Sequence, residues 1–169
     1  DDRARFPAYL DDYAFLAEGL LELLQYRWRS SDLTFACELA DVLLEQFEDP
    51  NGGFFFTGHD HEELIHRPKP LADEATPSGN GAAARMLIWL GHLVGESRYI
   101  LTAERTLKTA WPIVERYPDA HNSLLHALEL ALVPPELIVI RGDSSGVREE
   151  WQRYVNAGFH PNRMSFTIP

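Results

Sequence analysis

Asp73, Ser78 and Asn80 crowd the entrance of an apolar helix in the stretch DEATPSGNGAAARMLIWLG, and Asp12 with Tyr13 holds the same place at an earlier helix. Free backbone N–H groups at a helix N-terminus attract carboxylates and oxygen-rich ligands. Two carboxylates facing each other across such a mouth are the acid and base of glycoside chemistry, retaining at a separation of about 5 Å and inverting at about 6.5–9.5 Å. Asp12 and Asp73 are the catalytic candidates. Epimerisation asks instead for bases on both faces of a carbon next to a carbonyl, and His121 or His126 would serve. The same groups also make helix caps, Ser78 and Asp11 or Asp12 among them. A site for a sugar or other polar small molecule and a set of caps are both open readings, and a cap role predicts tight local bonding.

Other constellations carry weaker chemistry. Gly142-Asp143-Ser144-Ser145-Gly146 matches G-x-S-x-G between a strand and a helix, the setting of a hydrolase nucleophile, but the surroundings are helical and only His160 follows. The plainer expectation is a turn with a helix cap. His59, His61 and His66 share a loop with Asp60, Glu62 and Glu63, at spacings that match no closed metal site, so no metal and no cofactor is expected. His126, Glu129 and Asn122 fall on one face of a helix and could line a polar cavity; a buried, hydrogen-bonded His126 is the simpler expectation. Trp28, Trp89, Trp111 and Trp151 can stack on sugar rings, though packing accounts for most tryptophans. Cys37 reads as a small buried hydrophobe.

The elements that position these groups follow from apolar spacing. DDYAFLAEGLLELLQYRW sets Leu16, Leu20, Leu23 and Leu24 at helical intervals, with Tyr13, Ala14, Ala17 and Leu21 widening the surface and only Glu18, Glu22 and Gln25 forming a polar line. Such a helix is predicted to be buried on most sides. SDLTFACELADVLLEQFED lays Glu38, Asp41, Glu45 and Glu48 along one acidic stripe, with Ser31 as its N-cap. PNGGFFFTG reads as a turn and a short strand over 54–57. The pair of an apolar and an amphipathic helix then recurs. SGNGAAARMLIWLGHLVG is closed by Gly95. ESRYILTAERTLKTAWPIVERYP follows, with Pro112 expected to kink or end it. Asp12 and Gly79 occupy similar places about 67 residues apart, the signal of an internal repeat. DAHNSLLHALELAL is a fifth helix with Asp119 as its cap. ELIVIRG, SSGVREEWQRYVNAG and RMSFTIP read as strand, helix and strand, with Ser144 or Ser145 as the helix cap. The predicted fold is mainly α, with αα-hairpins over 1–132 whose apolar members lie inside. A small βαβ-like tail over 133–169 packs on them.

With 15 basic and 26 acidic residues the net charge is −11. A phosphate-binding face needs clustered Lys and Arg, so neither nucleic acid nor an anionic membrane is an expected partner. No leader pattern and no membrane-length apolar run is read. A single cysteine fits a reducing compartment, so a cytoplasmic location is expected. The chain opens on Asp rather than Met, which leads to the expectation of a processed product, an engineered fragment or a piece of something longer.

YLDDYAFLAEGLLELLQ, GGFFFTG, RPKPLADEATPSGNGAAA and ELIVIRG, in this order, resemble the C-terminal region of the thioredoxin-domain-containing family of spermatogenesis-associated protein 20 and the bacterial YyaL-like proteins. The resemblance spans most of the chain. It implies an N-terminal thioredoxin-like part in the longer protein, and here a segment of an (α/α)6 toroid related to six-hairpin glycosidases and N-acylglucosamine 2-epimerases. Matching positions are Asp12, Tyr13, Arg67, Lys69, Asp73, Pro77, Ser78, Gly79 and Asn80; the family pattern has Gly where this chain has Glu74. The implied function is carbohydrate-active, with Asp12 and Asp73 catalytic and Tyr13, Arg67, Lys69, Ser78 and Asn80 binding the ligand. The alternative is a non-catalytic ligand-binding or interaction module, inert alone, whose partners are the rest of the longer chain or a second copy. With no C-x-x-C pair, no redox role is carried over.

Overall fold

The computed structural model describes residues 7–61, 65–142, 144–158 and 160–168. Helix α1 (Leu10–Tyr26) buries Leu10, Ala14, Ala17, Leu21 and Leu24, a run spaced three or four residues apart that makes one stripe. Helix α2 (Ser30–Val42) buries Ala36, Leu39 and Ala40 and ends in one π turn, Leu43–Phe47, which turns Leu43 and Phe47 into the same core. Helix α3 (Gly79–Val94) is buried from Gly79 through Gly91 with the single exception of Arg85. Helix α4 (Ser97–Arg116) is amphipathic, with Tyr99, Ala103, Leu107, Ala110 and Val114 inward. Helix α5 (Asn122–Leu132) buries Leu124, Ala127 and Leu130. Burying each large aliphatic side chain contributes about 1.5–3 kcal/mol, so the face of α3 outweighs any surface contact.

Helix α3 packs against α1, α4 and α5, so it is the centre of the molecule. Gly79 lies against Leu10 and Asp11 at the start of α1, and Gly81 lies against Ser123 at the start of α5. Further along, Arg85 pairs with Glu18 of α1 at 2.6 Å. First turn meets first turn throughout, so α1, α3 and α5 run parallel with their N-termini together. The amphipathic helices lie outside and are tied by polar contacts: the Tyr99 hydroxyl donates to Asp41 at 2.8 Å, Arg98 pairs with Asp41, and Arg105 pairs with Glu48. Exposed pairs of this kind contribute at most about 1 kcal/mol each.

The tail is a right-sized crossover unit: strand β1 (Glu136–Arg141), helix α6 (Ser145–Val155) and strand β2 (Arg163–Ile168), with β1 and β2 paired in parallel. It turns back onto α1. The Ser165 N–H donates to the Gln25 side chain at 3.2 Å, the Gln152 side chain donates to the Gln25 carbonyl at 2.9 Å, and Trp28 meets Phe166 edge-on at 5.6 Å.

The mainly α fold with hairpins and a strand-bearing tail is what the apolar spacing predicts, and Gly95 ends α3 at φ +73° as expected. Several local expectations change. Ser31 does not cap α2; the link from α1 is so short that the helix restarts at Ser30, with Arg29 at the cap position and no side-chain cap bond. Residues 54–57 are not a strand. Phe54 makes one antiparallel bridge with Glu48, and the neighbouring amides go elsewhere, Phe54 N to Asn80 Oδ1 and Phe56 N to the Pro68 carbonyl. Pro112 does not end α4, because it sits on the exposed side where the Lys108 carbonyl it leaves without a donor faces water. Asp119 falls in a 3-10 turn, Pro118–Ala120, ahead of α5. Helix α1 is not buried on most sides: Leu16 is 47% and Leu23 37% exposed.

Close helix approach makes Gly81 a sensitive position. A Cβ there would collide with the Ser123 side chain and stand 2.9 Å from its carbonyl carbon. Gly81→Ala is expected to cost about 2 kcal/mol through overpacking, seen as a melting temperature lower by roughly 4–8 °C. Gly19→Ala, where a Cβ meets nothing within 4 Å, should instead stabilise by about 0.5–1 kcal/mol. Calorimetry on both variants checks the pair, and equal effects would contradict the packing described.

Candidate functional site

The helix mouth is built from one loop. Residues between the π turn and α3 must cross from the outside of the molecule to its centre, and their backbone groups are met by side chains. Asn80, fully buried, donates from Nδ2 to the carbonyls of Phe54 at 3.0 Å and Pro70 at 2.8 Å, and its Oδ1 accepts the Phe54 N–H at 2.7 Å. Lys69 reaches Asp49 at 2.6 Å and the Gly52 carbonyl at 2.7 Å. That ammonium, followed by the Asn51 amide and against the opposing effect of burial, holds the Asp49 carboxyl below the usual carboxylate range. Arg67 donates to the Thr57 carbonyl and lies over the Phe55 ring at 4.3 Å. Tyr13 packs against Phe47 with ring centroids 5.3 Å apart.

Ser78 caps α3, accepting the Gly81 N–H at 3.1 Å. Asp73 does more. Its Oδ1 accepts the Ser78 N–H at 2.9 Å and the Ser123 hydroxyl, while its Oδ2 accepts the Ser123 N–H at 2.9 Å. One carboxylate thus caps two helices, which is why α5 needs no cap from its own residues. Burial alone would raise the Asp73 pKa. The Ser123 hydroxyl and amide, with the Ser78 and Asn122 amides, outweigh it and set the carboxyl below its ordinary value. At α1, Asp12 sits in the first turn and accepts the Tyr9 N–H at 2.9 Å. Both carboxylates chosen from the sequence are therefore engaged in capping. The adjacent Asp11 is raised by burial and then by the Asp12 charge, and its Oδ1 is enclosed against Gly79 without a hydrogen-bond partner.

Two cavities adjoin this mouth. The smaller, about 280 Å³, is lined by Asp73, Glu74, Thr76, Arg85, Ser123 and His126 among others. The larger, about 920 Å³, runs as a trough down α1, α3 and α5 and presents Glu18, Glu22, Arg85, Trp89, His126 and Glu129. Arg85 and His126 line both. The tail closes the far end of the trough with Gln152, Asn156, His160 and Arg163. The Glu18 carboxyl is pushed up by burial, an effect only partly offset by the hydrogen bond and charge of Arg85.

Of the catalytic and ligand-binding residues drawn from the family resemblance, Asp73 lines the smaller cavity, while Asp12, Tyr13, Arg67, Lys69, Ser78 and Asn80 line neither; His126, Glu129 and Asn122, read from the sequence as able to line a polar cavity, do so. His126 is not buried as expected. It projects from the trough-facing side of α5, one turn from Glu129. The buried histidine is His121, 3% exposed, whose Nδ1–H donates to the Tyr117 carbonyl at 2.7 Å. Among the described residues no group of three His, Cys, Asp or Glu could hold a metal ion; Glu62 and Glu63 of the histidine loop lie outside them. Asp143 of the G-x-S-x-G stretch also lies outside, while Ser144 is exposed and makes no capping bond. Sequence reading passed over Arg85, although a lone charge in an otherwise apolar helix has to face a cavity or a partner.

Asp73 has a depressed folded-state pKa, so its contribution is complete above the ordinary carboxylate value and is lost as pH falls through the folded one. Asp73→Ala is expected to cost about 2–3 kcal/mol, the loss of caps on two helices. The gap in melting temperature between wild type and variant should be constant above about pH 5 and should narrow below about pH 4. Melting curves from pH 3 to 8 measure this, and a gap that persists at pH 3 would show that the carboxylate charge is not what holds the caps.

No model of a known protein family matches the chain. It is 32% identical over 137 residues to spermatogenesis-associated protein 20 of Rattus norvegicus and 31% identical over the same length to that of Homo sapiens, covering 80% of this chain in each case. An uncharacterized protein of Caenorhabditis elegans is 26% identical over 156 residues, which is 92% of this chain and 21% of that protein. The chain spans 17% of the length of the rat and human relatives. No helix among the described residues is long and apolar enough to cross a membrane. Over the shared segment, the chain belongs to the family of spermatogenesis-associated protein 20.

Proposed function

We propose that this chain is a segment of an (α/α) toroid and that the trough along α1, α3 and α5 binds a polyhydroxylated small molecule of the sugar type. The observation that supports the reading is the content of the trough. A cavity of about 920 Å³ is large enough for a mono- or disaccharide-sized ligand. Its walls combine carboxylates, a guanidinium, an imidazole and side-chain amides with the apolar Phe15 and Trp89. Hydroxyl-rich ligands need both donors and acceptors around them and an apolar surface for their C–H faces. The mouth residues offer little of this, since their hydrogen bonds are already made within the protein.

A carbohydrate-active role, of glycosidase or epimerase type, extends this reading. In it the acid–base work moves from Asp12 and Asp73 to groups on the trough wall. Glu18 has the raised pKa that suits a general acid, and His126 and Glu129 stand on the opposite helix of the trough. Asp73, held ionised by its caps, orients α5 and through it His126. A non-catalytic binding module fits the same geometry and differs only in whether the ligand is turned over.

Saturation-transfer NMR with a panel of neutral hexoses, N-acetylhexosamines and disaccharides tests the binding. One or more sugars should receive transfer from the wild type. His126→Ala and Glu129→Gln, both at exposed positions, should each keep the melting temperature within about 1–2 °C and weaken binding by about tenfold, the loss of one hydrogen bond to a ligand. No transfer from any sugar, or binding indifferent to both substitutions, would remove the trough as a sugar site.

A further inference from the structure

The strongest feature outside both cavities is the open side of the tail. Strand β2 is covered on its outer edge, where the Ser165 N–H meets the Gln25 side chain of α1. Strand β1 is not. The Glu136 N–H donates to the Asn162 carbonyl at 2.8 Å, just ahead of β2. Backbone groups alternate sides along a strand, so Glu136, Ile138 and Ile140 point theirs at β2, and Leu137, Val139 and Arg141 point theirs at the open edge. Among the described residues nothing pairs with that edge. Helix α6 packs on both strands. Its half-buried side is Arg148, Gln152 and Val155, and Glu149, Glu150 and Arg153 form a charged back. Asn156 leans to the β2 side, where it accepts from the Ser165 hydroxyl at 2.8 Å. Val147, Trp151 and Tyr154 lie about 140–180° round the helix from Asn156. They are therefore on the β1 side, as a right-handed crossover requires. All three are more than half exposed, as is Val139. An open strand edge and an apolar helix flank thus face the same way, and neither lines a cavity.

We infer that this side of the tail is a two-fold interface between two copies of the chain, joined by antiparallel pairing of β1 with its copy. The edge complements itself. With Val139 opposite Val139 of the second copy, Leu137 opposes Arg141, and all three outward-pointing residues of each strand exchange both backbone hydrogen bonds. A register shifted toward the start of β1 would bring in Pro135, which has no N–H to give. The two-fold axis of such a pair stands perpendicular to the sheet and keeps both copies of α6 on one face. Each α6 sits over both strands of its own tail, so the two helices come two strand spacings apart, about 9.5 Å. Helices pack at about 8–10 Å. The pairing that fills the β1 edge therefore also closes the flank of Val147, Trp151 and Tyr154 on its copy. Beneath that seam lie Ile138 and Ile140, on the face that Ser165 turns to α6. A single added strand would fill the edge and leave the flank in water. On the scale of 150–250 Å² per aromatic ring, the four exposed apolar side chains amount to roughly 450 Å² in each copy. With the paired backbone, two copies reach the roughly 1,000 Å² that a specific interface needs. The inference stands whether or not the trough binds a sugar.

Sedimentation equilibrium of the chain should show monomer and dimer exchanging with a dissociation constant on the order of micromolar, as for an interface near the lower size limit. Val139→Pro removes the outward N–H at the axis, and proline is tolerated where an edge-strand N–H faces water. Trp151→Glu puts a carboxylate into the helix seam. Each should weaken dimerisation by at least about tenfold, while the melting temperature of the dilute monomer stays within about 4 °C. Val139→Cys in a Cys37→Ala background reads the register. Hydrogen-bonded partners on the axis stand about 5.5 Å apart between Cα atoms, within disulfide range. Mild oxidation should therefore link the two copies, whereas Arg153→Cys in the same background, on the charged back, should stay unlinked. A chain that is monomeric at every soluble concentration would overturn the inference and assign the edge to further sequence of the longer family proteins. A dimer indifferent to both Val139→Pro and Trp151→Glu, or one that Arg153→Cys links as readily as Val139→Cys, would overturn it as well.

Discussion

The carboxylate of Asp73, shared between the first turns of α3 and α5, is the contact on which the architecture depends. Three parallel helices with adjacent N-termini place three partial positive charges side by side, an arrangement that repels itself. A half-buried negative charge set among those amides reverses the sign of the problem. It can serve both helices because they approach closely, and they approach closely because Gly81 leaves Ser123 room. Gly79 does the same toward Leu10 and Asp11 on the other side. Small residues at the start of α3 and one acidic residue just ahead of it are therefore a single device. The glycines bring the helix starts together and the carboxylate makes that proximity favourable.

The long crossing between α2 and α3 is held by the same logic. A loop running from the outer layer to the centre carries amides and carbonyls that cannot stay unpaired under a helix mouth. Asn80 meets three of them from within α3, while Lys69 and Arg67 meet the carbonyls of Gly52 and Thr57 from the loop itself. Arg67, Lys69, Asp73, Ser78 and Asn80 of RPKPLADEATPSGN thus direct hydrogen bonds back into the protein. Their density reflects how much backbone passes through this spot.

The fold was legible because its main determinants are periodic. The buried stripe of α1, the nearly continuous burial of α3 and the one-sided burial of α4 are each written in the spacing of Leu, Ala and Val. The 67-residue offset was visible as well, and the Glu18–Arg85 pair lies at that offset. What was illegible depended on distant partners. Asp119 looks like the cap of α5 when only neighbours are considered, yet the cap arrives from Asp73, 50 positions away. The Phe54–Thr57 run has strand composition, but only the Phe55 amide reaches back to the Phe47 carbonyl, while those of Phe54 and Phe56 go to Asn80 and to the Pro68 carbonyl, so no ladder extends beyond one bridge. Leu16 and Leu23 belong to an apolar helix by pattern, and no pattern within one helix tells which of its sides has a neighbour.

The site was misread for a related reason. Polar residues concentrated in one stretch of sequence attract attention, whereas the trough draws single residues from separate helices: Glu18 from α1, Arg85 from α3, His126 and Glu129 from α5. His126 and Glu129 show in the sequence as one face of α5, but Glu18 and Arg85 stand alone in their own segments. Their common feature is that the fold leaves them facing open volume with bonding capacity to spare, while the mouth residues have spent theirs. A ligand gains binding energy only from groups not already satisfied, since displacing an internal hydrogen bond returns nothing net. Saturation of a polar cluster is thus evidence of scaffolding, and it shifts the search for chemistry toward the sparse groups around the cavity. The mouth then acts on the trough indirectly: by setting where α3 and α5 begin, Asp73 sets how far Arg85 and His126 stand apart.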